Sequence, residues 1–388
     1  MEREVQSVYI HIPFCTQICH YCDFVKFFYN ERLATEYIHA LINEINTNIK
    51  GKHNIIRTLY IGGGTPTALN YKQLKFLLEF LNEKFDLDSC KEFTIEVNPG
   101  DIDQEKAELL KEYGISRISF GVQVMDDQLL EEIGRVHRVK DVYKTVELFH
   151  QYHFSNISLD LMYALPHQSV EQFQHSLDLA LQFDLPHYAT YGLQIEPKTV
   201  FYLKHKKGQL NRPTEEAEIE MYQILRSTMN EKGIKQYEIS NFAKPGFESK
   251  HNLNYWSNGY YYGFGAGAHG YLPGRRITNL RPLPAYVNKA MKDGHPILEE
   301  ERITLKENIE EEIFLGLRRM EGLNNNHFKS KYGFSLDTLF KEQIKNLTKM
   351  DLLFVNNETL YLTESGLLLA NKVFEEFMLE DSDLQRIY

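Results

Sequence analysis

The chain of 388 residues is 43% hydrophobic and 25% charged, the balance of a folded globular protein and too apolar for a disordered one. Its 43 Lys+Arg against 54 Asp+Glu give a net charge of -11, which removes general attraction to nucleic acid or to an anionic membrane and leaves only local basic patches for such contacts. The opening MEREVQ is charged and lacks an apolar h-region, and no run of about 18 apolar residues follows, so neither secretion nor membrane spanning is expected and the expected address is cytoplasmic.

Six β-prone runs come in order: SVYIHI (7–12), TLYIGGG (58–64), EFTIEVN (92–98), RISFGVQ (117–123), NISLDLMYAL (156–165) and HYATYGLQI (187–195). Amphipathic stretches with apolar residues three and four apart accompany them, as at 35–49, 71–85, 103–113 and 170–183. The alternation predicts an α/β fold, an incomplete parallel TIM-like (β/α)6 barrel. Reactive groups collect at the carboxyl ends of such strands, and Cys15, the glycines of GGGTPT (62–67), Glu96, Gln123 and Asp160 fall at or just beyond those ends. A long helix is expected over 214–233, then an aromatic and glycine-rich segment to 274 and the Pro-containing connection YLPGRRITNLRPLP. The barrel with this extension is expected to occupy residues 1–285. Residues 286–388 read as a small, mainly helical, winged-helix-like domain, with helices at 306–320, 335–353 and 363–378 and a hairpin at 354–362.

Three of the four cysteines, Cys15, Cys19 and Cys22, form C-x3-C-x2-C after the first strand. Short spacers let all three turn to one side, and the spacing alone leaves zinc, an iron–sulfur cluster and a redox thiol group open. Zinc would need a fourth ligand, for which His11 and His20 are the near candidates, whereas three thiolates on a 4Fe–4S cluster leave one iron open. Cys90 stands apart and reads as a structural or surface thiol. Gly62, Gly63 and Gly64 allow close backbone approach to a ligand, Glu96 offers an acceptor, and Asp160, inside an apolar run, needs a partner such as a ligand hydroxyl or Arg135.

C-x3-C-x2-C after a first strand, followed by a strand ending in GGGTPT, resembles the radical S-adenosylmethionine superfamily, in which the open iron is chelated by S-adenosylmethionine. VYIHIPFC, YIGGGTPT, IEVNPGD, RISFGVQ, IGRVH, DLMYALP and LTESGLLLANKVFEEF are similar, over nearly the whole chain, to the oxygen-independent coproporphyrinogen III oxidase family. The resemblance implies Cys15, Cys19 and Cys22 as cluster ligands, and Tyr9, Gly63, Gly64, Thr65, Glu96, Gln123, Arg135 and Asp160 as S-adenosylmethionine contacts. The oxidases resemble C-x3-C-x2-C-x-C and carry an N-terminal extension; this chain has Phe24 at the fourth position and begins close to the first strand. With HNLNYW (251–256), these departures resemble the heme-chaperone branch of that family.

That resemblance implies heme as cargo, transfer to an apo-hemoprotein acceptor and no coproporphyrinogen oxidase activity, the alternative being a radical decarboxylase. A homodimer, transient membrane association and an electron donor such as flavodoxin or ferredoxin are compatible with it; nucleic acid is not expected. Heme iron takes His, Cys, Met or Tyr in an aromatic or aliphatic pocket. His251 is the first candidate, with Tyr255 and Trp256 to line a macrocycle, Lys250 to meet a propionate and His269 as the second candidate. His137 reads as a cofactor-shell or ordinary hydrogen-bonding residue.

Overall fold

The computed structural model describes residues 5–380. The six runs become the strands Ser7–Ile12, Thr58–Gly63, Glu92–Val97, Arg117–Gln123, Ile157–Tyr163 and His187–Gly192. Each pairs in parallel with the next in sequence. The aromatic and glycine-rich segment supplies a seventh strand, Tyr262–Phe264, parallel to the free edge of the first. The sheet stays open among the described residues, as an incomplete barrel requires.

Side chains alternate along a strand, and here both faces are used. Val8, Ile10, Leu59, Ile61, Phe93, Ile95, Ile118 and Phe120 belong to the main apolar core, with helices such as Glu31–Asn48, Tyr71–Lys84 and Val170–Leu181 packed on that side. The opposite face carries Tyr9, Tyr60, Glu96, Arg117, Ser119 and Asp160, a polar lining within a half-barrel. The helix Val139–Gln151, which buries Val142, Val146 and Phe149, is the amphipathic element after the fourth strand.

The chain divides into two compact units. The first holds the chain through Lys235 with Phe242–His251 and Tyr260–Glu301; the second holds Gln236–Asn241, Asn252–Gly259 and the chain from Arg302 onward. The expected boundary at 285/286 therefore cuts a helix, Leu283–Asp293, that belongs to the first unit. Its Tyr286 is fully buried and donates its hydroxyl hydrogen bond to Glu44, 2.5 Å away. Asn43 Nδ2 donates to the Ala290 carbonyl at 2.6 Å.

Glu44 organises this corner. Besides Tyr286 it accepts from the Gly265 N–H at 3.0 Å and from Asn279 Nδ2 at 2.6 Å, tying the segment after the seventh strand to the helix Glu31–Asn48. Burial lifts its carboxyl from 4.5 to about 7, against the pull of those three donors.

In the second unit, the helix Leu305–Leu317, the strand Leu323–Asn324, the helices Asn325–Tyr332 and Leu336–Lys349 and the strands Leu353–Asn356 and Thr359–Leu362 follow winged-helix order. The three strands form one small sheet over a core of Ile309, Ile313, Phe328, Phe340 and Leu360. The helix expected at 363–378 breaks at Leu369 into Glu364–Leu368 and Ala370–Glu375.

Replacing Glu44 with Ala strands three buried donors, and the expected loss is about 2–4 kcal/mol in chemical denaturation; an unchanged midpoint would count against the network. An acid whose folded pKa is raised contributes stability that is fully present below its unfolded value and lost as pH rises through the folded one. The wild-type advantage over Glu44→Ala should therefore shrink between 4.5 and about 7.

Candidate functional site

The cysteine loop is fixed at both ends. Phe14–Cys15 pairs with Phe27–Phe28, and the Tyr29 N–H donates to the Cys15 carbonyl at 2.9 Å. In the middle, the His20 N–H donates to the Ile133 carbonyl at 3.0 Å, and His20 Nδ1 lies 2.9 Å from the Glu132 carbonyl. Cys15 is buried, Cys19 and Cys22 are half-buried, and none forms a disulfide. Burial pushes the Cys15 thiol up to about 12, despite the hydrogen bond from Thr65. It also raises Cys22, with Lys26 opposing. A bound metal favours the thiolate form of such thiols.

The GGGTPT turn packs against this loop. The Gly64 N–H donates to the Ile12 carbonyl and the Thr65 N–H to the Phe14 carbonyl, at 2.9 and 2.7 Å. A Cβ on Gly64 would lie 2.9 Å from Cys15 Sγ. Gly63 has φ +115°, and a Cβ there would meet the His11 ring at 2.5 Å. The glycines are thus required by close approach to the thiol loop and to the first strand.

His11 cannot serve as a fourth zinc ligand without dismantling its surroundings. Its Nε2 lies 2.7 Å from the Val25 carbonyl and its Nδ1 2.9 Å from Tyr9 Oη, and burial lowers it to about 4. A neutral ring that donates to Val25 and accepts from Tyr9 satisfies both contacts. Among the described residues no three His, Cys, Asp or Glu side chains converge on one ion. A 4Fe–4S cluster makes a different demand, because each cysteine binds a different iron.

Beyond the loop, the strand ends bring most of the expected contacts together. Glu96 accepts from the Tyr60 hydroxyl at 2.8 Å and the Gly63 N–H at 2.9 Å, while burial raises its pKa. Asp160 lies on the same lining and is lifted to about 7 by burial and then by Glu96, with Arg117 and the serines pulling back. Its hydrogen bonds come from Ser119 and Ser158 at 3.4 Å. The expected Arg135 partner is engaged elsewhere: it donates to Asn98 Oδ1 at 2.6 Å and to Tyr21 Oη at 2.9 Å. Burial works against the Arg135 charge, yet Cys19 and Tyr21 hold its pKa above the ordinary value. Its Nε is buried without a hydrogen-bond partner.

Gln123 ends the fourth strand at φ +73°, where the pairing register shifts. Its Nε2, Asn98 Oδ1 and Arg135 Nη2 all crowd onto Gly121, at 3.1, 2.8 and 3.5 Å from where a Cβ would stand. Asn98 was missed by the sequence reading although it lies in IEVNPGD. It holds Arg135 and donates to Thr65 Oγ1 at 2.7 Å, so it links the glycine turn to the guanidinium. An amide at the first position after a strand end was the available signal.

The heme candidates fare differently. His251 is buried at the amino ends of the strands, opposite the cysteines, with Nδ1 2.8 Å from Thr58 Oγ1 and its ring 5.2 Å from that of Tyr60. Its N–H and that of Lys250 donate to the Glu92 carboxylate at 3.0 and 2.8 Å, and burial lowers the imidazole to about 3. In this structure the side chain packs and hydrogen-bonds within the core. In the second unit, the Trp256 ring is faced by the Arg318 guanidinium at 4.6 Å, so the expected macrocycle surface already has an occupant on one face. Tyr255, half-buried, lies in the same unit. His269 is exposed at the start of His269–Leu272, with Nδ1 3.2 Å from Thr278 Oγ1. His137 makes the ordinary contact, 3.2 Å to the Val122 carbonyl. Cys90 Sγ lies 3.2 Å from the Glu92 carbonyl, away from the mouth.

Residues 9–180 match the radical SAM superfamily and residues 303–369 the HemN C-terminal domain. Over 376 residues the chain is 49% identical to a Bacillus subtilis (strain 168) protein named heme chaperone HemW, covering 96% of this chain and 99% of that one. The chain belongs to the HemW family. A Lactococcus lactis heme chaperone HemW is 42% identical over 381 residues, with 98% and 99% covered. Among solved structures, the Escherichia coli coproporphyrinogen III oxidase HemN, described as a radical SAM enzyme, superposes with a TM-score of 0.84 at 22% identity, over 97% of this chain and 90% of that one. That likeness establishes the shared fold. In this HemW-family chain Phe24 is 64% exposed.

Removing the His251 ring should cost about 2–4 kcal/mol, through lost packing and the lost hydrogen bond to Thr58. Denaturant unfolding of His251→Ala against wild type measures this, and equal midpoints would refute the core role.

Proposed function

We propose that the protein is a heme chaperone that binds heme and hands it to apo-hemoproteins, and that it carries a 4Fe–4S cluster on Cys15, Cys19 and Cys22 with S-adenosylmethionine at the open iron. The observation that carries the reading is the three-thiol loop at the barrel mouth combined with full-length similarity to proteins named heme chaperone HemW. When bound, the cluster and S-adenosylmethionine supply one-electron sulfonium chemistry.

The residues fit that pair of groups. The Gly64 backbone leaves the space beside Cys15 that a Cβ would fill. Glu96 and Asp160 are acids on the barrel lining whose pKa burial raises, Asp160 further by Glu96, and a ligand bearing ammonium and sulfonium charges favours their ionised forms. Arg135, with its unpartnered Nε, suits the ligand's carboxylate. Gly63, Thr65, Gln123 and Tyr9 frame the same mouth.

The porphyrin iron ligand is sought first at His251 and second at His269. The His269 imidazole is exposed and lowered in pKa by partial burial and by Arg281 and Arg276, which favours the neutral, ligating form. The oxidase alternative draws only on the shared fold. A dimer and cytoplasmic residence remain part of this reading, and no helix among the described residues is long and apolar enough to cross a membrane.

Anaerobic reconstitution should give about four irons per chain, and Ala at Cys15, Cys19 or Cys22 should abolish the cluster while Cys90→Ala retains it. Stoichiometric zinc without an iron chromophore would sink the assignment. S-adenosylmethionine should shift the cluster's electron paramagnetic resonance signal, and Gly63→Val should suppress the shift. The same preparation should bind hemin, pass it to a heme-free acceptor and leave coproporphyrinogen III unconverted. Ala at His251 or His269, whichever holds the iron, should weaken the Soret band. Robust, S-adenosylmethionine-dependent decarboxylation would return the protein to the enzyme class.

A further inference from the structure

Although the whole chain is acidic, residues 196–207 carry four lysines and a histidine against one glutamate. They include the helix Val200–Lys206, whose N-cap Thr199 accepts from the Tyr202 N–H. Phe201 anchors it: the ring is fully buried in an apolar cluster with Leu129, Ile133 and Leu193. The Phe201 N–H donates to the His20 carbonyl at 3.1 Å, and the two rings lie 5.9 Å apart. His20 stands between Cys19 and Cys22, so the helix is attached to the cysteine loop itself.

Its outer surface is apolar and basic together. Val200 and Leu203 are 43% and 57% exposed, and Lys198, His205, Lys206 and Lys207 are exposed around them. Two further exposed apolar side chains, Phe24 and Val136, adjoin Cys22 and Arg135 in sequence. The nearby acids Glu132 and Glu131 are paired with Lys204 and Arg138; Asp23, beside Phe24, is exposed. An acidic partner is repelled by a molecule of net charge -11 except where such a patch faces it, and this steers its approach and fixes its orientation. A small apolar centre ringed by lysines suits a transient, salt-sensitive contact.

We propose that the helix Val200–Lys206, with its flanking lysines, is the docking surface for an acidic one-electron carrier protein that reduces the iron–sulfur cluster across the cysteine loop. This rests on the cluster reading above. One electron leaves the reduced carrier, which is oxidised by one equivalent, and enters the cluster, whose charge falls by one; no bond is made or broken.

The probe is a flavodoxin of net negative charge. Its oxidised form is titrated against the cluster-free chain, and its reduced form is mixed by stopped flow with the reconstituted chain, with dithionite as the small reductant. The triple charge reversal Lys198→Glu, Lys206→Glu and Lys207→Glu should weaken flavodoxin binding and slow its electron transfer by about tenfold or more and flatten the salt dependence. Dithionite reduction should stay unchanged, and arginine at the three positions should retain both flavodoxin properties. Unaltered flavodoxin binding and rate in the reversed variant would overturn the proposal. So would a reversal that releases hemin yet leaves flavodoxin untouched, which would assign the lysines to porphyrin carboxylates. Failure of wild type to form a cluster would defeat the cluster reading alone, because binding to the cluster-free chain still decides docking.

Discussion

A half-barrel whose concave face is polar must hydrogen-bond that face to itself or to a ligand, because buried polar groups without partners are costly. The first unit meets this constraint differently at its two ends. At the amino ends of the strands the protein supplies its own partners: Glu92 accepts from Ser249, Lys250 and His251, and Thr58 meets the His251 ring. At the carboxyl ends the pairing is incomplete. Two acids with raised pKa, Glu96 and Asp160, and an Arg135 Nε without a partner remain among glycines. One end is closed by the chain, and the other gathers acids of raised pKa and an unpartnered guanidinium nitrogen on one rim.

The same constraint gives the HNLNYW segment a physical role. Its first residue fastens the closed end of the lining, where it meets Thr58 and packs against Tyr60. Later in the segment, Trp256 lies under Arg318 in the second unit. A run that reads as a ligand-binding signature is therefore, in its best-defined side chains, part of the fold's own hydrogen-bonding and cation–π framework.

Charge is distributed with comparable economy. The negative total disfavours general polyanion affinity, while cations gather at particular places: Arg117 within the barrel lining, Arg135 beside the cysteine loop, and the exposed lysines on and next to the helix attached to that loop. Phe24 occupies the position where related oxidases resemble a fourth cysteine, and it faces solvent.

The six strands, their parallel order and the grouping of Cys15, the glycine turn, Glu96, Gln123 and Asp160 were legible from sequence, because β-α alternation leaves few topologies and directs strand ends to one rim. The winged-helix order of the tail was legible for the same reason of local periodicity. Partners separated by tens of residues were not. Asp160 is held by Ser119 and Ser158 instead of Arg135, Arg135 by Asn98 and Tyr21, and His251 by Thr58 and Glu92, and the helix Leu283–Asp293 joins the first unit through Glu44. Sequence spacing determines which residue types share a rim, since backbone period and chain order set that locally. Which donor meets which acceptor was decided only by the tertiary structure, because it depends on the register between distant strands and on which groups burial leaves in need of a partner.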